Sequence, residues 1–303
     1  MLKKKILIFG GTGLLGSNIF EFFNRKYNLV FNYHRSKIKV KKKLDYRKII
    51  VAKKINVNEI IKINPDIIIN CIANTNLEYC ENNPKSTNYP NVLIPALLSK
   101  ICFEKKIKFV HISTDHLYST SMKFKTEKTK TNPVNVYARQ KLKAEKKILS
   151  NNNKSLILRT NFFGHFTKRN KSIYSLIDNL VNRKKTLLDN QYFFTPIYTY
   201  NLIKILDKLI LKNISGVFNV VGNNRISKFD FALLIAKTIG IKQPTLLHRS
   251  IENNKKLKAK RCKDLSLSNN KIKNKVKIKI PQLDQQLKLF FKNEIIFLKN
   301  SKF

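Results

Sequence analysis

Residues 5–16 are Lys5-Ile6-Leu7-Ile8-Phe9-Gly10-Gly11-Thr12-Gly13-Leu14-Leu15-Gly16, and this stretch decides the fold. An apolar run ends in glycines, and apolar residues then recur at helical spacing as far as Phe23, which predicts strand, tight turn and helix. The chain has only eight glycines, and four of them stand in this turn. Glycine lets backbone N–H groups approach a phosphate without a Cβ in the way. We therefore expect a dinucleotide to be held by Gly10, Thr12, Gly13, Leu14, Leu15 and Gly16.

Beyond this turn, apolar segments alternate with helical patterns as far as about residue 160. Strands that are apolar throughout and separated by helices indicate a parallel sheet covered on both faces. The predicted fold class is α/β, with a Rossmann-type doubly wound parallel sheet in residues 1–160. The predicted strands are Lys5–Phe9, Leu29–Asn32, Asp66–Cys71, Phe109–Ile112 and Ser155–Leu158, and helices are predicted at Leu14–Phe23, Val57–Ile63, Asn91–Glu104 and Val136–Leu149.

Residues 161–303 are less regular and are predicted to form mainly a smaller substrate-binding lobe. A strand near Val217–Val221 is expected to return to the main sheet. The stretch Asn253–Lys279 is rich in Lys and Asn, which is typical of a solvated surface segment or, in parts, of a disordered one. Helices of this lobe are predicted at Ser172–Arg183, Asn201–Leu211, Lys228–Ile239 and Asp284–Phe291.

The chain is strongly basic, with 61 Lys and Arg against 18 Asp and Glu and a net charge of +43. Such a charge is the usual footprint of a nucleic-acid binder. However, only ten of the basic residues are arginine, and the lysines are spread along the chain rather than clustered. Specific recognition of bases and phosphates favours clustered arginine. We therefore expect no specific nucleic-acid partner and interpret the charge as codon bias.

Cys71, Cys80, Cys102 and Cys262 have no CxxC spacing and no partnering His spacing. The sequence therefore suggests neither a disulfide framework nor a metal site, and the cysteines are expected to be small buried apolar residues. No apolar run is long enough for a secretory signal core or a membrane helix. A cytoplasmic protein with no membrane partner is expected.

The segment after the second strand bears on the choice of dinucleotide. An NAD site usually has Asp or Glu there to hold the ribose hydroxyls. Here the segment is Asn32-Tyr33-His34-Arg35-Ser36-Lys37, without a carboxylate. Arg35 can instead pair with a 2′-phosphate, so NADP (NADPH) is predicted as the cofactor, with NAD as the alternative.

Tyr137 and Lys141 lie four residues apart on a predicted helix and so project from one face. An ammonium beside a phenol favours the phenolate, so Lys141 is expected to lower the pKa of Tyr137 and help it give a proton to a carbonyl oxygen. Thr114 follows the strand Phe109–Ile112, which places its hydroxyl at the carboxyl edge of a parallel sheet. A hydroxyl at that edge can hydrogen-bond the same carbonyl oxygen.

The glycine turn comes first, a hydroxyl residue at the end of a later strand comes next, and a helix with Tyr137 and Lys141 follows. In this order of features the sequence resembles the extended short-chain dehydrogenase/reductase superfamily. Within it, the sequence is most similar to the dTDP-4-dehydrorhamnose reductase family and its sugar-nucleotide relatives. The resemblance runs through nearly the whole chain. It includes Cys71-Ile72-Ala73-Asn74-Thr75, Val110-His111-Ile112-Ser113-Thr114-Asp115, Pro133 to Lys141, Leu158 to Phe162, Phe194-Thr195-Pro196 and Arg261 to Leu267.

The resemblance implies a role for particular residues. Thr114 would bind the carbonyl, Tyr137 would be the acid and Lys141 its partner. Ala73, Asn74 and Thr75 would line the cofactor, with Asp45 and Tyr46 near the adenine. Asp115 and Phe162 would lie against the sugar, and Arg261 is expected to meet the diphosphate. The sequence departs from the family pattern at four positions, Ala138, Gln140, His116 and Cys262, of which the last two leave the sugar's identity open.

The function predicted from these residues is NADPH-dependent reduction of a 4-keto nucleotide-diphosphate deoxysugar in surface-polysaccharide biosynthesis, by a possible homodimer. Dehydration is disfavoured because His116 stands where sugar-nucleotide dehydratases have Glu. An NAD-dependent nucleotide-sugar epimerase stays an alternative. A non-catalytic, NAD(P)-binding regulatory subunit of the same fold is a further alternative. That hypothesis predicts loss of Tyr137 or Lys141, and both residues are present.

Overall fold

A computed structural model describes residues 3–31, 56–119, 121–164, 171–248 and 257–301. Its central feature is a six-stranded parallel sheet in the order β2-β1-β3-β4-β5-β10. The strands are β1 (Lys5–Phe9), β2 (Asn28–Phe31), β3 (Ile67–Asn70), β4 (Lys108–Ile112), β5 (Leu156–Arg159) and β10 (Gly216–Asn219). The predicted Rossmann-type class is confirmed, and the strand expected near 217–221 is the outer partner of β5. The division at residue 160 stays a prediction.

Helices cover both faces of the sheet because successive side chains of each strand point to opposite sides. The helices are α1 (Leu14–Phe23), α2 (Val57–Ile63), α5 (Ile94–Glu104), α6 (Val136–Asn151), α8 (Thr199–Leu211) and α10 (Asn270–Val276). On one face, alternate strand residues such as Ile6 and Ile67 pack with α1, α8 and α10. On the other face, Leu7 and Ile68 pack with α2, α5 and α6.

Asparagine side chains begin several of these helices, which suits a chain rich in this residue. Asn56, Asn76 and Asn135 each accept a hydrogen bond from the backbone N–H three residues further on. Such caps satisfy helix N–H groups that have no partner within the helix. The Asn135 cap begins α6, the helix that carries Tyr137 and Lys141, and so fixes where that helix starts.

The segment between β3 and β4 has more structure than the sequence predicts. Instead of one helix from Asn91, two short helices, α3 (Leu77–Asn82) and α4 (Pro84–Asn88), lead into a π-helical turn, Tyr89–Leu93, and then into α5. Pro84 and Pro90 lie near the starts of α4 and the π-helical turn. The π-helical turn packs against α6 and thereby joins this segment to the predicted site.

A second core lies beside the sheet and is built from α7 (Lys171–Val181), α9 (Lys228–Thr238) and α11 (Leu283–Ser301). Phe290 of α11 is fully buried, and the aromatic rings that surround it are those of Tyr174, Phe291, Phe163 and Tyr198. Short strands complete this part of the chain. They are β6 (Phe162–Phe163), β7 (Thr186–Leu188), β8 (Phe193–Phe194), β9 (Ile197–Tyr198), β11 (Ile226–Ser227) and β12 (Leu246–His248).

The expectation of a solvated or disordered segment at 253–279 is met only in part over its described residues, 257–279, where most lysines are exposed but other side chains are buried. Asp264, Ser266 and Leu267 are buried, and Ile272 and Val276 of α10 pack into the main core. The fully buried ammonium of Lys125 holds this segment, since it donates to the Asp264 backbone carbonyl at 2.6 Å. The pattern misleads because a few apolar residues among many lysines suffice to bury one side of the segment. Among the described helices, none is long and apolar enough to cross a membrane.

Candidate active site

The glycine turn lies between β1 and α1, beside the point where the sheet's strand order changes direction. Gly10 adopts a positive φ of 77°, and its carbonyl accepts a hydrogen bond from the Gly13 N–H at 3.0 Å. A Cβ on Gly16 would stand 2.3 Å from the Gly10 oxygen, and one on Gly11 would meet the Phe31 ring at 2.0 Å. The turn is therefore a closely packed cradle that only glycine at these positions permits.

The amino terminus of α1 suits a phosphate. Gly13 is the capping residue and provides no side-chain cap, and the first turn of the helix contains no acidic residue. The backbone N–H groups of this first turn and the positive end of the helix dipole are thus available to bind an anion. Leu14 begins the helix, whereas Leu15 is buried in the main core and can contribute only its backbone to a ligand. Thr12 is half-buried in the turn.

The loop that follows β3 is joined by hydrogen bonds to the π-helical turn, which is in turn bonded to α6. The Asn91 side chain of the π-helical turn accepts from the Asn74 N–H at 2.7 Å and donates to the Asn74 carbonyl at 3.1 Å. Asn91 in turn donates to Gln140 of α6 at 2.9 Å. Gln140 is thus a structural link between α6 and the segment that follows β3. Ala73 is half-buried and Thr75 exposed in the same loop.

Thr114 and Tyr137 lie together in the interior. Tyr137 is only 7 % exposed, and its hydroxyl is within hydrogen-bonding reach of the Thr114 side chain. Burial raises the pKa of Tyr137 above its ordinary value, and the Thr114 hydrogen bond lowers it by less. The expectation that Lys141 lowers this pKa is therefore not met. A buried phenol that keeps its proton is a group that can act as an acid.

Lys141 is fully buried one turn further along α6. Its Nζ lies 2.7 Å from the Ile112 carbonyl oxygen and 2.9 Å from His111 Nε2. Burial lowers the pKa of Lys141 to about 8, against the opposing effects of Glu145 and Cys71. Burial and the neighbouring Lys141 also hold the pKa of His111 well below its usual range. The lysine is thus held by strand β4 rather than by Tyr137.

The residues expected on the sugar side flank this pair. Asp115 is buried beside Thr114, and its Oδ2 accepts from Asn161 Nδ2 at 2.7 Å; burial raises its pKa. The His116 ring lies edge-on to Tyr137 with 5.9 Å between ring centroids. Phe162, in β6, is half-buried. Asp115 and His116 therefore lie in the same side-chain cluster as Thr114 and Tyr137.

Two basic residues, Lys228 and Arg261, lie near His116 of this cluster. Arg261 donates to Glu78 at 2.9 Å and to its own segment through the Ala259 carbonyl. Lys228, at the start of α9, is exposed as a residue, and partial burial of its ammonium together with the Arg261 charge lowers its pKa. Both positive charges act on His116, whose pKa is lowered mainly by burial. An anionic part of a ligand would be attracted to this point.

Lys228, Asn70 and His111 are not among the site residues that the sequence predicts. A polar residue within an apolar strand is the signal that could have pointed to His111 of β4 and to Asn70 at the end of β3. Lys228 is one of 51 lysines and carries no such signal. Arg35, Asp45 and Tyr46 lie outside the described residues. Within the described part of the chain, no group of three or more His, Cys, Asp or Glu side chains is arranged to hold a metal ion.

A parallel sheet of this order, with a glycine turn after β1 and a Tyr/Lys helix after β4, defines an extended short-chain dehydrogenase/reductase fold. The chain belongs to the family described as RmlD substrate binding domain, whose model matches residues 4–295. The resemblance to the dTDP-4-dehydrorhamnose reductase family is thereby confirmed, and with it membership of an oxidoreductase family.

Individual relatives are distant. The chain is 26% identical over 248 residues, 80% of its length and 82% of the relative's, to a probable low-salt glycan biosynthesis reductase of Haloferax volcanii. It is 24% identical over 280 residues, 89% of its length and 81% of the relative's, to methionine adenosyltransferase 2 subunit beta of Mus musculus. A dTDP-4-dehydrorhamnose reductase from Bacillus anthracis, solved with NADP, has a TM-score of 0.84 at 21% identity and covers 96% of this chain and 100% of its own.

Proposed function

We propose that the protein reduces a 4-keto nucleotide-diphosphate deoxysugar with NADPH. The single observation that carries the proposal is the buried Thr114 and Tyr137 pair, with Lys141 one helical turn away. The reductases among its relatives, including one solved with NADP, support this assignment. Within this reaction the bound NADPH supplies a hydride to C4 of the sugar.

The glycine cradle fits such a cofactor. Gly16 and Gly11 leave no space for a Cβ, and the first turn of α1 offers backbone N–H groups without a side-chain cap or an acidic residue. These groups suit a pyrophosphate. Arg35 is proposed to select the 2′-phosphate of NADPH. A clear preference for NADH in the wild-type protein would contradict the role of Arg35.

Thr114 and Tyr137 are proposed to hold the C4 oxygen between their hydroxyl groups. As the oxygen gains negative charge, Tyr137 donates its proton to it, and the charge of protonated Lys141 supports the resulting phenolate. Thr114 keeps the oxygen in place through its hydrogen bond. Lys228 and Arg261 are proposed to attract the diphosphate of the substrate.

The test is NADPH oxidation with a panel of 4-keto sugar nucleotides, comparing wild type with Tyr137→Phe. Loss of the proton donor should lower the rate by about 10²- to 10⁴-fold. Tyr27→Phe is the matched control, because Tyr27 is also buried and its hydroxyl bonds Asp207 near the amino edge of the sheet. Equal turnover by wild type and Tyr137→Phe would reject the mechanism.

A second candidate is supported by the relative that is a subunit of methionine adenosyltransferase. A regulatory subunit of the same fold would bind NADP(H) with normal affinity and turn over none of the sugars. Calorimetric binding of NADPH beside the turnover assay separates this outcome from a protein that binds no dinucleotide at all.

A further inference from the structure

The hydrogen bonds of Asn70 fix the protonation of the His111 ring. The Ile72 backbone N–H can only donate, and it points to Asn70 Oδ1 at 3.1 Å. The other end of the amide, Nδ2, is a donor and lies 3.1 Å from His111 Nδ1. His111 Nδ1 must therefore accept and carry no proton. The fully buried His111 ring, whose pKa lies well below the usual range, is then neutral with its proton on Nε2.

This tautomer has a consequence for Lys141. The His111 Nε2–H is directed at the Lys141 nitrogen, 2.9 Å away, and an N–H donor needs a lone pair as its partner. An amine has one lone pair and two hydrogens, so it can accept from His111 while donating to the Ile112 carbonyl at 2.7 Å. An ammonium has no lone pair. It would place two donors against each other unless His111 changed tautomer and broke its bond to Asn70.

We propose that Asn70 and His111 are positioning residues that present an N–H to Lys141 and so make its positive charge easier to lose. The proposal rests on the proposed reductase function only for its effect on turnover; the arrangement itself exists in the free protein. Asn70 ends β3 and His111 lies in β4, so the central strands of the sheet act on the residue that supports Tyr137.

The other groups around Lys141 do not produce the same effect. Glu145, one turn further on α6, and Cys71, after β3, both favour the charged form of Lys141. Glu145 is in turn neutralised by Arg159, with 2.6 Å between Arg159 Nη2 and Glu145 Oε2. Burial raises the pKa of Cys71 to about 12, so its thiol is uncharged at neutral pH. His111 is thus the neighbour that disfavours the ammonium.

The sign of the effect on activity follows from the proposed mechanism. Protonated Lys141 supports the Tyr137 phenolate, so turnover should fall as the pH rises through the pKa of Lys141, which is lowered to about 8. An isosteric Asn70→Asp change reverses the arrangement. The carboxylate accepts from His111 Nδ1–H, which leaves the Nε2 lone pair of the neutral ring facing Lys141. The ammonium then gains an acceptor, and the alkaline limb of the pH profile should move up by roughly one pH unit.

The first experiment is ¹⁵N NMR of the histidine rings of the free protein at pH 9. The chain has only five histidines, and His111→Gln identifies the signal. We expect an unprotonated Nδ1 and a protonated Nε2 in the wild type and in Lys141→Met, where Asn70 is intact, and a protonated Nδ1 in Asn70→Asp. A protonated Nδ1 in the wild type overturns the proposal, whether or not any sugar is turned over.

The second experiment is the pH profile of kcat/KM for wild type, Asn70→Asp and Asn70→Ala. Both variants release His111 from its fixed tautomer, so Asn70→Ala serves if the aspartate variant does not fold. An alkaline limb that stays in place in a folded variant overturns the proposal. Where no sugar is turned over, the titration of Lys141 is followed instead by ¹³Cε NMR, and the spectrum of Lys141→Met identifies its signal. The pKa of Lys141 must then move between wild type and the Asn70 variants as the pH profile would have.

Discussion

Arg159 and Glu145 form a buried ion pair one turn of α6 beyond Lys141. Arg159 Nη2 lies 2.6 Å from Glu145 Oε2, and the Arg159 Nε–H lies 3.1 and 3.2 Å from the two carboxylate oxygens. Ser113 donates to the same carboxylate at 2.5 Å, and Arg159 also donates to the Tyr118 hydroxyl. Tyr137, Lys141 and Glu145 follow one another at intervals of four, so this pair anchors the face of α6 that carries the site.

Removal of one partner of this pair should be costly. Glu145→Gln leaves the Arg159 charge buried without compensation, and a loss of about 3–5 kcal/mol in the free energy of unfolding is expected. The double change Glu145→Gln with Arg159→Met should cost less than the sum of the two single changes. Urea unfolding of the four proteins measures this coupling, and strict additivity would contradict it.

Thr114→Val should lower kcat/KM on the order of 10²-fold, because the change replaces the hydroxyl beside Tyr137 with a methyl group of the same shape. Thr114→Ser keeps the hydroxyl and should retain most of the activity. Steady-state kinetics with NADPH and a 4-keto sugar nucleotide gives the comparison. If the serine and valine variants were equally impaired, packing rather than the hydroxyl would be the role of Thr114.

Gly16→Ala should destabilise the protein and weaken NADPH binding. The new Cβ would meet the Gly10 carbonyl oxygen at 2.3 Å and the Gly11 Cα at 2.7 Å, and this backbone cannot move without opening the turn. A loss of about 1–3 kcal/mol is expected. Gly13→Ala is the control for stability, since its Cβ meets only the Gly10 oxygen, at 3.2 Å. Thermal unfolding of both variants measures the difference, and equal losses would contradict the packing argument.

The pairing of Glu78 with the segment around Arg261 should depend on pH. The pKa of Glu78 is raised by burial but lowered by more in total by hydrogen bonds from the Lys258 and Ala259 N–H groups and from Arg261. A lowered folded-state pKa means that the stabilisation is present above the ordinary glutamate value and is lost as the pH falls through the folded one. The protection factors of amide exchange at Lys258 and Ala259 should therefore fall as the pH is lowered through the folded-state pKa of Glu78. In Glu78→Gln these protection factors should be low at every pH, and unchanged protection would contradict the assignment.

The cysteines should be unreactive in the folded protein. Burial raises the pKa of all four thiols, that of Cys71 to about 12. Because the thiolate is the nucleophile, alkylation by iodoacetamide at pH 8 should be slower than that of a free thiol by roughly a thousandfold at Cys71. Mass spectrometry before and after unfolding in urea tests this. Cys71 is half-buried, and rapid labelling of it in the native protein would contradict the raised pKa of its thiol.

The sequence alone predicts the elements that have a strong local pattern. The apolar strands, the glycine turn and α6 follow directly from periodicity, and the spacing of Tyr137 and Lys141 places both on one face of a helix. Contacts between distant segments have no such local signal. The bonds of Lys141 to His111 and Ile112 join α6 to a strand about 30 residues away, and the burial of 257–276 depends on partners such as Lys125. For this reason the position of Lys141 could be predicted but its partners could not.

The two hydrogen bonds between Asn91 and the backbone of Asn74 have a thermodynamic consequence. Fixing the backbone of one loop residue costs about 1–2 kcal/mol in conformational entropy. Because Asn91 occupies both the N–H and the carbonyl of Asn74, this ordering takes place when the chain folds rather than when a ligand arrives. A dinucleotide that contacts the loop after β3 therefore meets a loop that is already ordered, and its binding free energy is not reduced by the cost of ordering that loop.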